Sequence, residues 1–245
     1  MSETHGPLST APSTDSITPA RPVFDDGATS QAEPDREELT WELFGVAERE
    51  LVGSTAKQAI AQAALPHLHL RHGATVLLDA GTTVGALARR LPGGLDLTVI
   101  TDSVLTAALL AGRDDMSVRI LGGQVRGITQ AAVGPEALET LAERDPGAAD
   151  LARRITRLDV AVMGTNGLTV EHGLSTPDPD EAAVKRAMIR AAKHVVVLAD
   201  ATKIGQEHLV SFADLADIDL LVTDSPLPTA IATPLATLGT EVITS

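Results

Sequence analysis

The sequence predicts an α/β fold of three layers, a mostly parallel sheet covered by helices on both faces. Six short apolar runs rich in Val, Ile and Leu recur at residues 75–78, 97–101, 118–121, 160–163, 195–198 and 220–223. They are nearly unbroken, as strands buried on both faces require. Helical stretches fall between several of them and supply the crossovers that parallel strands need. The residues that follow the runs are small, polar and glycine-rich, the composition expected where strand ends open onto a ligand.

The elements follow in order. Residues 1–40 are dominated by Ser, Thr, Pro, Asp and Glu, with prolines at 7, 12, 19, 22 and 34 and no apolar period, so they read as a disordered acidic tail. The folded domain is expected over 41–245. It opens on the cluster Trp41, Leu43, Phe44 and Val46, which would dock on the domain's own core. Ser54 is placed to cap a helix whose apolar face is Ala56, Ile60, Ala63 and Ala64, ended by Pro66. Further helices are expected over 83–91, 103–110, 135–143, 181–192 and 228–238.

Composition narrows the function. The chain of 245 residues carries a formal net charge of -14 and no cysteine. Disulfide frameworks, thiol nucleophiles and Cys-ligated zinc are therefore excluded. Aromatics are 2% of residues, which disfavours base stacking, and the acidic balance repels nucleic acid. Before Lys57 the only basic residues are Arg21, Arg36 and Arg49, so no basic reader of DNA is expected there. No apolar run approaches the roughly 18 to 20 residues that span a bilayer, and a cytoplasmic location is expected.

The strand-end loops carry the chemistry. The first run ends in Asp79-Ala80-Gly81-Thr82-Thr83, where backbone N–H groups and two hydroxyls would face an anion at a helix start. The second ends in Thr101-Asp102-Ser103, the third in Gly122-Gly123, and the fourth in Gly164-Thr165-Asn166-Gly167. Neither a Gly-x-Gly-x-x-Gly turn nor a Walker loop follows a strand, so dinucleotide and nucleoside-triphosphate cofactors are disfavoured and no cofactor is expected. Glu181 and Lys185 stand four apart at a helix start, a spacing that allows an ion pair or a binding role, and Lys203 follows a strand closely enough to reach over its end. His67, His69 and His72 lack the spacing of a helical metal site and read as solvated, so no metal ligand is assigned.

Taken in order, these stretches resemble the effector domain of the DeoR family of bacterial sugar-metabolism repressors. The resemblance runs from about Arg49 to the C-terminus. It is carried by Lys57-Gln58-Ala59-Ile60-Ala61, Leu77 to Thr83, Thr98 to Ser103, Ile120 to Gly123, Val133-Gly134-Pro135, Asp180 to Ile189, Asp200 to Gly205 and Asp217 to Asp224. It implies a fold shared with ribose-5-phosphate isomerase, glucosamine-6-phosphate deaminase and the CoA transferases, and a domain that binds a phosphorylated sugar and oligomerises. Carried over by position, the effector would meet Asp79, Gly81, Thr82, Thr83, Thr101, Asp102, Ser103, Gly122, Gly123, Asn166, Glu181, Lys185 and Lys203.

Two departures stand out. The family commonly has Asn where this chain has Asp102, and a carboxylate about 4 Å from a phosphate would repel it by about 1 to 4 kcal/mol, so Asp102 is expected to face sugar hydroxyls unless the ligand differs. The acidic tail also stands where the family has a winged helix-turn-helix. The expected function is a sugar-phosphate sensor in transcription control, without a DNA reader of its own, in a homo-oligomer or beside a DNA-binding paralogue. The rival is an isomerase or deaminase of the same fold, with Asp79, Asp102, Asp180 or Glu181 as base and Lys185 or Lys203 polarising an oxygen. Shared fold does not carry catalysis and the motifs match the regulators, so no catalytic residue is assigned.

Overall fold

The computed structural model describes residues 52–141 and 158–245, together with Met1 and Gly45. The acidic tail, the Trp41 cluster and the basic run Arg153, Arg154 and Arg157 lie outside the described residues. The described chain runs α1 (Ser54–Ala64), β1 (Thr75–Leu78), α2 (Thr82–Ala88), β2 (Leu97–Thr101), α3 (Val104–Leu110), β3 (Met116–Ile120), β4 (Gln124–Val125), β5 (Ala132–Val133) and α4 (Pro135–Leu141). It resumes with β6 (Val160–Gly164), β7 (Gly167–Thr169), β8 (Gly173–Thr176), α5 (Pro179–Ala191), β9 (Val195–Leu198), β10 (Val210–Ala213), β11 (Leu220–Thr223), α6 (Thr229–Leu238) and β12 (Glu241–Thr244).

Seven strands form one sheet in the order β12-β11-β9-β6-β1-β2-β3, and every pairing in it is parallel. Alternate side chains of each central strand enter opposite cores, because successive residues of a strand point to opposite faces. Val76 and Leu78 of β1 join Ile60, Ala64, Val84 and Leu87 on the face covered by α1 and α2. Leu77 joins Met163, Ala182, Met188 and Leu235 on the face covered by α4, α5 and α6. The predicted three layers and parallel sheet are the observed ones.

Two features were not anticipated. A three-stranded antiparallel sheet, β10-β8-β7, and a short hairpin of β4 with β5 sit beside the main sheet. Ser54 is also the first residue of α1 rather than its cap; the cap position is Gly53, whose left-handed φ of 62° a glycine adopts without a Cβ clash.

The strand order fixes where a ligand can lie. From β1 the chain steps outward to β2 and β3, and from β6 it steps the other way to β9, β11 and β12, so the direction reverses between the neighbours β1 and β6. A reversal of this kind splays the loops at the carboxyl ends of the two strands and leaves a crevice between them. At the opposite ends of the strands Asp159 closes the sheet, accepting from Arg71, from Lys193 (2.6 Å) and from the Thr75 amide. Those donors, Lys193 first, hold its carboxyl at about 2, well below the ordinary carboxylate range.

Candidate functional site

A cleft lies at the reversal, above the ends of β1, β6 and β9. Its lining includes Gly81, Thr82 and Thr83 after β1, Gly164, Thr165 and Asn166 at the end of β6, and Asp200 and Lys203 after β9. Lys57 of α1, Thr129 of the β4–β5 loop, and Glu181 and Lys185 of α5 complete it. No side chain caps the start of α2, where Gly81 occupies the cap position in extended conformation (φ 161°). Asp200 accepts from the Thr202 amide (3.1 Å) and so shapes the single turn Ala201–Lys203 that brings Lys203 to the rim. Thr165 donates to the Gly167 carbonyl (2.7 Å) and holds the tight turn that presents Asn166.

Beneath the cleft is a buried ionic cluster. Lys185 reaches from α5 to Asp79 Oδ2 at the end of β1, and its ammonium lies 3.2 Å from the Gly164 carbonyl and 5.3 Å from the centre of the Phe212 ring. The Gly164 amide donates to the same Asp79 oxygen at 2.8 Å. Burial raises the Asp79 carboxyl against the pull of Lys185 and of these hydrogen bonds. For Lys185, burial opposes the charge but is outweighed by Asp79 and Glu181, and its pKa stays above the ordinary lysine value.

The ion pair that the spacing of Glu181 and Lys185 allows is not formed, and both take longer-range partners. Lys185 goes to Asp79, whereas Glu181 Oε1 accepts from Arg126 and Thr129. Arg126 also meets Asp178 at 3.0 Å, and Asp178 caps α5 by accepting from the Glu181 amide at 2.9 Å. The i to i+4 spacing placed the two side chains on one helix face, but tertiary partners that are better buried claimed both.

Asp102 lies below the cleft and not on its lining, so the expectation that it faces sugar hydroxyls does not describe this geometry. It is 3% exposed, and its Oδ1 is buried with no hydrogen-bond partner. Burial, and then the charge of Asp79, pushes its carboxyl well above the ordinary range, which favours the neutral acid over the carboxylate. The sign of the linkage follows. A raised folded-state pKa gives stability that is complete below the ordinary carboxylate range and is lost as pH rises through the raised value. Asp102→Asn is therefore expected to match the parent at about pH 3 and to exceed it in stability at about pH 9, read from urea unfolding at both pH values. A parent more stable than the variant at the alkaline pH would refute the neutral-acid reading.

Of the expected site residues, the cleft brings together Gly81, Thr82, Thr83, Asn166, Glu181, Lys185 and Lys203, with Asp79 directly behind Lys185. Thr101 and Ser103 are spent on local structure: the Ser103 amide donates to Thr101 Oγ1 (3.0 Å), and Ser103 Oγ accepts from the Thr106 amide (3.2 Å) as the cap of α3. Ser103 lines an adjoining hollow between α2 and α3, beside Leu105 and Leu109, which shares Gly81, Thr82 and Thr129 with the cleft. Gly122 and Gly123 do not line the cleft; Gly123 has φ 120°, and a Cβ there would stand 2.2 Å from the Val133 carbonyl oxygen, so its role is to let the β4–β5 hairpin close.

The sequence reading gave no role to Lys57, Arg126, Thr129 or Asp200. Lys57 was marked by rarity, as one of four lysines, three of which border this cleft while the fourth, Lys193, pairs with Asp159 at the far end of the strands. Nothing in the local sequence marked Arg126 or Thr129. The three histidines point to different partners: His67 to Glu241 (3.6 Å), His72 to Asp96 (3.6 Å) and His69 to the His194 ring (5.7 Å). Among the described residues no helix is long and apolar enough to cross a membrane.

The sequence profile of the DeoR C-terminal sensor domain matches residues 53–225. GlpR of Haloferax volcanii, an HTH-type transcriptional regulator, is 36% identical over 80% of this chain and 71% of its own length. GlcR of Bacillus subtilis, an HTH-type transcriptional repressor, is 34% identical over 70% of this chain and 60% of its own. The glycerol-3-phosphate regulon repressor of Escherichia coli K12 is 26% identical over 65% of this chain and 59% of its own. The chain thus spans between 59% and 71% of the length of these relatives.

Proposed function

Because this chain belongs to the DeoR C-terminal sensor domain family, we propose that it is a sugar-phosphate-binding sensor acting in the control of carbohydrate-metabolism genes. The observation that carries the reading is one of charge. In a chain of net charge -14 with four lysines, three border a single cleft, together with the Gly81-Thr82-Thr83 loop. Hydroxyls and the first-turn amides would hold an anion there, and an ammonium adds a point charge. The relative that controls a glycerol-3-phosphate regulon supports a small phosphorylated effector.

The domain responsible is residues 41–245, with 1–40 as an acidic tail. We propose that the domain passes on ligand state within a homo-oligomer or through a DNA-binding paralogue. Ligand state is transmitted only if the effector binds two arrangements of the assembly with different affinity. A sensory role is supported by the carboxylates: Asp79 is paired with Lys185, Asp102 is buried below the cleft, Asp180 is exposed and off the lining, and Glu181 is tied to Arg126 and Thr129.

Thermal unfolding against phosphorylated sugars and their unphosphorylated counterparts tests the reading. A ligand that binds only the folded protein adds about 2.7 kcal/mol of stability at a hundredfold excess over its Kd. Stabilisation by phosphorylated members alone, lost in Lys203→Ala and in Thr82→Ala, is the expected result. No stabilisation by any phosphorylated sugar, or equal stabilisation by both classes, would overturn it.

A further inference from the structure

The β4–β5 hairpin has no role in the account above, yet it supplies part of the cleft wall and holds the carboxylate that borders it. We propose that this hairpin sets the selectivity of the cleft for hydroxylated ligands, with Arg126 as a positioning residue that fixes Glu181 and Thr129 as a ligand contact beside it. The inference rests on the sensor reading and deepens it by naming what distinguishes a sugar phosphate from a bare anion.

Arg126 and Thr129 both donate to Glu181 Oε1, while Oε2 has only the Thr176 hydroxyl, at a long 3.4 Å. Glu181 is 6% exposed and borders the cleft, so the lone pairs left on Oε2 belong to a carboxylate with little access to water. An ionised carboxylate is an acceptor only, and the partner that completes it must bring a donor. Vicinal hydroxyls of a sugar or polyol supply that chemistry as neutral donors, whereas inorganic phosphate brings its P–OH only on an anion that the carboxylate repels.

Arg126 makes this geometry rigid. Its guanidinium spans Asp178 and Glu181, two carboxylates on the first turn of α5, and a planar fork fixes such a pair where an ammonium would act as a point charge. The hairpin that carries it is set by its own backbone: the Arg126 amide donates to the Ala131 carbonyl (2.9 Å), the Ala132 amide to the Asp102 carbonyl (2.8 Å), and Gln130 stands in left-handed conformation with φ 53°. The cleft therefore joins an anion-accepting side, Thr82 with Lys203, to a hydroxyl-accepting side held by a loop from another part of the chain.

The test compares affinities for inorganic phosphate and for glucose 6-phosphate and sn-glycerol 3-phosphate, measured by thermal-shift titration on the full chain. The expected wild-type result is tighter binding of at least one of the two esters than of phosphate. In Arg126→Ala that preference should fall by about tenfold or more, because a site built to bond a hydroxyl loses discrimination when its acceptor is no longer fixed. Phosphate affinity should change less than about threefold. Arg126→Lys should recover only part of the preference, and Thr129→Val, which changes no charge, decides the matter if Arg126→Ala does not fold. A preference unchanged in these variants, or phosphate and ester affinities falling in proportion, would overturn the proposal and leave the sensor reading standing. Wild-type protein that binds phosphate alone, or none of the three probes, also overturns the proposal, and the sensor reading is then decided by stabilisation across the other sugar phosphates.

Discussion

Lys185→Met is expected to destabilise the protein by about 3 to 5 kcal/mol at neutral pH, the penalty for leaving one member of a buried ion pair without its partner. Asp79 is 0% exposed, its Oδ1 has no hydrogen-bond partner among the described residues, and Lys185 is the cation that pairs with it and holds its charge. Without the ammonium the carboxyl is driven further toward its neutral form. The loss should therefore shrink as pH falls and Asp79 takes up a proton, and chemical denaturation across the acid range would show this. Adding Asp79→Asn should restore most of the stability, because a shape-matched neutral pair removes the uncompensated charge. If the double variant were no more stable than the single one, packing of the lysine stem against Phe212, and not charge, would be the cause.

The second large effect separates two readings of one residue. Gly123 followed a strand and looked like a place where a ligand approaches the backbone. In the structure its φ of 120° is one that side chains rarely adopt, and a Cβ would collide with the Val133 carbonyl at 2.2 Å. Gly123→Ala should cost about 2 to 4 kcal/mol from backbone strain and overpacking together. Ligand affinity, measured well below the lowered Tm, should change little, since Gly123 does not line the cleft. Gly81→Ala is the contrast: no atom stands within 4 Å of a Cβ built there and its φ is extended, so it should fold normally while intruding on the cleft. A Gly123 variant that kept full stability but lost ligand would reverse the assignment.

The main sheet was readable because its strands are sealed on both faces and leave unbroken Val, Ile and Leu runs. Five of the six expected runs begin where strands begin, and β3 differs because Met116 and Ser117 extend it toward an exposed edge. The small antiparallel sheet escaped notice for the opposite reason. Its strands are three or four residues long; β7 and β8 mix Gly, Ser and Thr with single apolar residues, as a turn-rich loop also does, and Ser211 breaks the short run of β10. Edge strand β12 is mostly exposed and lacks a sealed run altogether.

At the site, residue types were legible and their assortment was not. Four strand-end loops looked equivalent, and only the strand order makes the loops after β1 and β6 neighbours while assigning Thr101 and Ser103 to a helix cap. Helical spacing likewise placed Glu181 beside Lys185. Their partners came from 55 and 106 residues away in the chain, a range at which local pattern carries no information.

The order of strands also divides the molecule along a line. Every strand on one side of the boundary between β1 and β6 comes from residues 75–120, and every strand on the other side from residues 160–244. The boundary is three residue pairs long, Val76 with Val160, Leu77 with Ala161 and Leu78 with Val162, and Asp79, Gly164 and Lys185 fasten its end. The cleft exists only while these two contiguous stretches are docked, since Gly81 to Thr83 belong to one and Gly164, Lys185 and Lys203 to the other. A molecule lodged between them acts as a rivet across the boundary, and its binding energy resists separation of the two halves more than the unravelling of either one.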